Sequence, residues 1–347
     1  MPSTGPERVG VDGDSPPRHV QRWIAKCLLD GGSPHSVCEQ LVASGALDES
    51  TAAQAVDAVQ ATAVFEAAAS VAHRRDKLAS LFDAFARQRR QSGLAEGGVP
   101  VEVRPSPERF FEAYYFSNRP VLLRGLADDW PALRRWSPKF FTETFGDVEV
   151  EVTADREEDP RYEDNFTHHR RQMTMRAFVE QVMGGAGNDV YLVAKNRILE
   201  RPELASLLAD ISYPDGILDA AKETPLPRLW FGPEGTVTPL HHDSVNILFA
   251  QIRGHKLVRL ISPFDTESVY NDRTCFSAVD LDRLDLDAFP RMRDVVVLET
   301  VVAPGDLLFL PLGWWHWVRS LDVSISLSFQ NFAVPGPPVV WSWPRLR

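Results

Sequence analysis

The run Thr238-Pro-Leu-His241-His242-Asp243 and, far downstream, the histidine of Gly-Trp-Trp-His316-Trp carry the residue types of a metal centre. Two imidazoles and one carboxylate form the facial triad that holds a non-haem Fe(II) on one side. The opposite positions stay open for a co-substrate and oxygen. His241 and Asp243 stand two apart, and on a β-strand that spacing puts both side chains on one face. His316 lies in another strand-like run, so a closed or sandwiched sheet has to bring it to the metal. The same period of two places Val245, Ile247 and Phe249 on the face of His241 and Asp243, giving ligands and apolar lining one interior.

Arg253-Gly254 suggests a tight hairpin, after which Lys256, Val258 and Leu260 share a face of the returning strand. A lysine in an apolar run is costly unless it meets an anion. Taken alone it reads equally as a snorkelling or edge-strand lysine; beside a metal triad, a carboxylate-bearing co-substrate explains it better. Thr238 offers a hydroxyl to the same anion, or is simply a strand-edge threonine. Ser324, Ser326 and Ser328 alternate with Ile325, Leu327 and Phe329. Turned inward, that polar face belongs to a ligand-holding barrel; turned outward, it is a solvent-facing strand, and the pattern does not choose. His242 must face away from its neighbours, as a packing group or one that supports the ligands from behind. His168 and His169 sit in the charged loop Asp164–Arg171 and are expected in solvent, unless that loop covers the barrel mouth and touches substrate, and His255 alternates off the Lys256 face. Trp314, Trp315 and Trp317 are expected to wall off water around His316, with Trp230 also keeping the site dry.

These side chains need strands to carry them. Strand-like runs are expected at Pro120–Leu123, Val148–Val152, Val190–Val193, Asn246–Ile252, Lys256–Ile261, Val295–Val302, Leu307–Leu310 and Ser324–Phe329. Short strands between turns predict a mainly β fold, a double-stranded β-helix or jelly roll. Helices at Pro107–Tyr115, Pro138–Phe145 and Met175–Met183 would flank it. Upstream, the texture is helical. Val20, Trp23, Ile24, Cys27 and Leu28 form an amphipathic stripe ending at Gly31-Gly32, and a second helix follows Ser33-Pro34. A third begins near Asp48, and an alanine-rich stretch runs from there through Phe65 to Phe85. The expected layout is therefore a disordered tail over 1–17, an all-α module over 18–90 and a linker over 91–104, followed by a catalytic domain over 105–347. The helical module could be mistaken for a helix-turn-helix DNA reader. Acidity and the lack of a basic recognition stripe favour packing or homodimerisation instead.

The chain has 347 residues, 44% of them hydrophobic, and a formal charge of −11. That charge argues against a nucleic-acid backbone as the main partner, because such binding rests on Lys and Arg neutralising phosphates. Cys27, Cys38 and Cys275 form no CxxC pair and leave one thiol unmatched, which suits a reducing, cytoplasmic setting. Neither a secretion signal nor a membrane span is read from the sequence.

Five stretches together resemble the Jumonji C (cupin-like) family of Fe(II)- and 2-oxoglutarate-dependent oxygenases. They are Asn118-Arg-Pro-Val-Leu-Leu-Arg-Gly125, Tyr191-Leu-Val193, Gly235-Thr-Val-Thr-Pro-Leu-His-His-Asp243, Phe249-Ala-Gln-Ile-Arg-Gly-His-Lys256 and Pro304-Gly-Asp-Leu-Leu-Phe-Leu-Pro-Leu-Gly-Trp-Trp-His316. The resemblance is to the hydroxylase branch, that of the asparaginyl hydroxylase of hypoxia-inducible factor, and the layout is similar to bacterial cupin-like proteins. It implies Fe(II) held by His241, Asp243 and His316, with 2-oxoglutarate and O2 as co-substrates. Lys256 would pair with the distal carboxylate of 2-oxoglutarate, helped by Thr238 and the phenol of Tyr191, and Ser328 is placed with them.

Two departures are visible. That hydroxylase carries an asparagine four residues after the aspartate ligand, where this chain has Ile247, its own asparagine being Asn246. It also carries a substrate-contacting glutamine where this chain has Val193, so the same target is not implied. Whether Asn246 and Asn331 meet co-substrate or substrate is left open. The activity implied is hydroxylation of an unactivated C–H, on a protein or peptide side chain first and on a free amino acid or small metabolite second. Lysine demethylation is disfavoured by the lack of zinc-spaced reader cysteines. The rivals are a tRNA-modifying oxygenase, with Arg161, Arg170, Arg171 and Arg176 as its basic cluster, and a non-redox cupin or binding protein.

Overall fold

The computed structural model describes residues 16–91, 98–222, 226–271 and 274–341. Most of the tail expected over 1–17, and positions 92–97 of the expected linker, thus lie outside the described residues. The chain divides into two compact units, Met1–Phe85 and Ala86–Arg347.

The first unit is helical: α1 (Arg18–Leu29), α2 (Pro34–Ala43), α3 (Glu49–Gln60) and the start of α4 (Ala63–Gln91). The starts of α2 and α3 follow capping chemistry. Ser33 Oγ accepts from the Ser36 amide at 3.1 Å with proline in the first turn, and Asp48 accepts from the Thr51 amide at 2.9 Å. Val20 and Ile24 of α1, Val37 and Leu41 of α2, and Ala52, Ala55, Val56 and Val59 of α3 form one buried cluster. Among the described residues no single helix is long and apolar enough to cross a membrane. α3 and α4 satisfy length and composition only as a pair bent by 74°.

The second unit carries β1 (Val101–Val103), α5 (Pro107–Phe110), β2 (Val121–Arg124), α6 (Ala132–Arg135), α7 (Pro138–Phe145), β3 (Glu149–Thr153), β4 (Arg170–Thr174) and α8 (Met175–Gly184). Eight strands follow: β5 (Arg228–Gly232), β6 (Val237–His242), β7 (Ile247–Arg253), β8 (Lys256–Ile261), β9 (Val297–Val302), β10 (Leu307–Leu310), β11 (Trp315–Ser320) and β12 (Ser324–Phe329). They form a six-stranded sheet in the order β1-β2-β10-β7-β12-β5 and a four-stranded sheet in the order β6-β11-β8-β9; β3 and β4 pair by themselves.

Ile247, Phe249, Leu308 and Leu310 of the larger sheet pack with Val258, Leu260, Leu298 and Val302 of the smaller, so the two sheets enclose one interior. The outer face of the larger sheet (Ala250, Phe309, Ile325, Leu327) is covered by Phe110, Phe141 and Phe178 from the helices. The outer face of the smaller (Leu240, Ile261, Trp315, Trp317) is covered by Val269, Val279 and Met292. This is the expected jelly roll with flanking helices.

Several details differ from the sequence reading. Val101–Val103, expected in the linker, is a strand paired in parallel with β2. Val190–Val193 is not a strand; it contributes only the isolated bridges Thr153–Tyr191 and Leu192–Phe231. Pro107–Tyr115 is one α-helical turn followed by a π-helical turn over Phe111–Tyr115.

Candidate metal centre

β6 and β11 are antiparallel neighbours, and His316 sits directly across from His241 in their register. Cross-strand partners bring their Cβ atoms within a few ångströms, so the pairing alone joins histidines remote in sequence. Their ring centroids are 4.0 Å apart. Each imidazole is oriented from behind: His241 Nδ1 lies 2.8 Å from the Pro239 carbonyl, and His316 Nδ1 lies 3.1 Å from the Trp314 carbonyl. A carbonyl can only accept, so each Nδ1 carries the proton and each Nε2 keeps its lone pair, the tautomer a metal ligand needs. His316 Nε2 is 3.4 Å from Asp243 Oδ2. One ligand atom from each of the three residues falls within 4.8 Å of the other two. Two imidazole nitrogens and one carboxylate oxygen at that mutual reach fit Fe(II) held on one face.

The electrostatics agree. Burial, then the neighbouring His316, push His241 down to about 4, so it is neutral and able to ligate at pH 7. Burial pushes the Asp243 carboxyl up, but the close approach of His316, His241 and His242 lowers it by more. The net shift is downward, and the carboxylate stays ionised.

Asp243 reaches this position differently from the expectation. β6 ends at His242, and residues 243–246 carry the chain across to β7 in the other sheet. Asp243, Ile247 and Phe249 therefore do not share the face of one strand. They line one cavity because two sheets face each other, and Val245 packs against the intersheet core.

That cavity, about 220 Å³, is lined by His241, Asp243 and His316 and also by Lys256, Tyr191, Thr238 and Ser328. The structure thus brings every residue proposed from sequence for metal or co-substrate into one space. Lys256 is 1% exposed, and its Nζ donates to the Tyr191 hydroxyl at 2.9 Å. Burial pushes its pKa down to about 7. The Tyr191 phenol is pushed well above its ordinary value by the same burial, so it is neutral. The inward alternative holds for the serine face of β12. Ser328 lines the cavity and accepts from Trp230 Nε1 at 3.3 Å, while Ser326 Oγ donates to Gln251 Oε1 at 2.9 Å.

Other expectations are corrected. His169 is not solvated: it is buried, with Nδ1 3.1 Å from the Ala154 carbonyl and Nε2 3.1 Å from Asp159. Asp159 is in turn held at about 2 by hydrogen bonds from Asn165, the Arg161 amide and His169. Trp315 and Trp317 do not surround His316; alternation turns them to the outer face of the smaller sheet. Trp314 packs inside and supplies the carbonyl that orients His316. Asn246 accepts from the Leu312 amide at 2.8 Å, and Asn331 donates to the Asp219 carbonyl at 2.8 Å. Both hold loops, and neither is among the cavity-lining side chains. In the arginine cluster, Arg170, Arg171 and Arg176 are paired with Glu151, Asp155 and Asp147.

The sequence reading missed further walls, among them Glu163, Lys195, Arg228, Cys275, Phe276 and Gln330. Phe276 stacks on His241 at 5.3 Å, and Lys195 Nζ donates to Glu163 at 3.0 Å. Apart from Arg228 on β5, these residues stand outside the strands, where no periodicity marks them.

A family model described as a cupin-like domain matches residues 107–332. Lysine-specific demethylase 8 of Xenopus tropicalis is 34% identical over 243 residues, covering 68% of this chain and 53% of the relative. The protein of the same name in Danio rerio is 35% identical, covering 67% and 57%. The human bifunctional peptidase and (3S)-lysyl hydroxylase JMJD7 is 29% identical over 255 residues, covering 65% and 81%. The chain spans little more than half the length of the first two.

Proposed function

Because the chain belongs to the cupin-like Jumonji C family of Fe(II)- and 2-oxoglutarate-dependent oxygenases, we propose that it hydroxylates an unactivated C–H bond on a peptide or protein side chain. The observation that carries this reading is a buried lysine sharing one cavity with a two-histidine, one-carboxylate donor set. Fe(II) held there supplies redox chemistry in which substrate–H, O2 and 2-oxoglutarate give substrate–OH, succinate and CO2.

The side chains divide the remaining work. Lys256 Nζ, already directed by the Tyr191 hydroxyl, binds the distal carboxylate of 2-oxoglutarate, and Thr238 and Ser328 offer hydroxyls to the same group. An ammonium without an anion is expensive in a dry interior, so the co-substrate relieves a cost the free protein carries. The Pro239 and Trp314 carbonyls keep both histidines in the ligating tautomer. Ile247, Phe249 and Leu310 exclude water from the same space.

The relatives support a protein substrate: by name, two act as lysine demethylases and one as a lysyl hydroxylase. The test is peptide mass spectrometry on host lysate incubated with protein, Fe(II) and 2-oxoglutarate. A gain of about 16 Da on a side chain, absent with Asp243→Ala, supports hydroxylation. A loss of about 14 Da moves the assignment to demethylation, and succinate formation dependent on a free amino acid moves it to a small substrate.

A further inference from the structure

Asp243 has the least local support of the three ligands. β6 stops at His242 and the next strand begins at Ile247 in the other sheet, and 35% of the Asp243 side chain is exposed. A carboxylate on such a crossover keeps its aim only if the crossover is pinned.

Three hydrogen bonds pin it. The Gly313 amide donates to the Asp243 carbonyl at 3.3 Å, the Leu312 amide to Asn246 Oδ1 at 2.8 Å, and the Trp341 amide to the Ser244 carbonyl at 2.7 Å. The first two come from the turn that leads into β11. The third comes from a C-terminal strap beyond residue 332, where the family match stops. The Trp341 ring adds to it, stacking on His242 at 4.6 Å and 29°, while Trp315 meets the same imidazole edge-on at 4.7 Å. His242, 3% exposed, is thus held between two indoles. The same Trp341 ring lies 3.8 Å from where a Cβ on Gly313 would stand. One side chain therefore packs on the residue next to Asp243 and stands beside the turn that leads to His316.

We infer that Trp341 is a positioning residue of the metal centre, a strap outside the family-wide domain that fixes the crossover aiming Asp243. It is not a cavity wall and belongs to none of the four buried core clusters, so its action runs through His242 and Ser244. The inference rests on the metal-centre reading.

The test titrates Co(II) alone into the purified full chain, follows its ligand-field absorption, and compares wild type with Trp341→Ala and Trp341→Phe. Outer-shell substitutions typically cost 10–100-fold in metal affinity. Trp341→Ala is therefore expected to bind Co(II) about tenfold more weakly with an altered spectrum. Its metal-free thermal midpoint is expected to stay close to that of wild type, and Trp341→Phe to restore most of the affinity. Unchanged affinity and spectrum in Trp341→Ala overturn the inference. So does a loss matched by an equal fall in metal-free stability that phenylalanine does not rescue. Should the alanine variant not fold, Trp341→Leu keeps the apolar cover without the stacking face and takes its place under the same criteria. A wild-type chain that takes up no Co(II) removes the metal-centre premise instead, and this inference with it.

Discussion

At Lys256 burial and charge conflict, and the conflict has a sign. Its folded pKa, about 7, lies below the ordinary lysine value of 10.5. Between those values the unfolded chain binds more protons than the folded one, so stability rises with pH across that window. Below pH 7 the lysine is charged in both states, and its burial cost is at its fullest. For protein without co-substrate, thermal midpoints are expected to climb from pH 7 toward pH 10, and Lys256→Met is expected to flatten the climb. A carboxylate beside Nζ stabilises the ammonium and reverses the effect. Binding of 2-oxoglutarate above pH 7 should therefore take up a proton, measurable by calorimetry in buffers of different ionisation enthalpy. Lys256→Met should lose that uptake and need more 2-oxoglutarate while still binding metal; wild-type binding with no proton uptake at pH 8 contradicts the role. Lys256 was legible in the sequence because a charge inside an apolar strand has few explanations. Glu163, Lys195 and Phe276 were not, because a charged or aromatic loop residue has many.

The element that makes the site is the β6–β11 pair, whose register sets His241 against His316, with a bulge between His316 and Val318 just beyond. Sequence periodicity gave β8, β10, β12 and α7 with the observed bounds, since each is a clean apolar or alternating run with turn residues at its ends. It passed over β4, Arg-Arg-Gln-Met-Thr, whose residues are exposed or half-buried and show no apolar face. It also continued the ligand face from β6 through β7, because a period of two carries no mark where the chain changes sheets. The helices over the larger sheet are held by aromatic packing at Phe231 of β5. That side chain is fully buried, 5.3 Å from Phe141 of α7 and 5.2 Å from Phe178 of α8. Phe231→Ala is expected to cost about 3–5 kcal/mol by the usual cavity penalty, measured by urea unfolding. A cost below about 1 kcal/mol would mean that these helices do not depend on that contact.

At the scale of the whole molecule, the family domain lies entirely within the second unit, and the first unit carries its own helical core. We propose that the helical module supports a homodimer. On α4, Val64, Val71 and Leu78 recur every seven residues and are exposed, the spacing of a helix seam. Light scattering of the full chain is then expected to give twice 38.9 kDa, falling to one chain when Val71 and Leu78 are both changed to lysine. A wild-type mass of 38.9 kDa at all concentrations removes the proposal. The reading of the site itself is that His241, Asp243 and His316 hold one ferrous ion between two sheets. Its most direct measurement is the iron content of chain reconstituted anaerobically with Fe(II) and then desalted, for wild type, Asp243→Ala and His316→Ala. One iron per wild-type chain and none in either variant is the expected result. Iron-free wild type, or variants that keep a full complement, would contradict it.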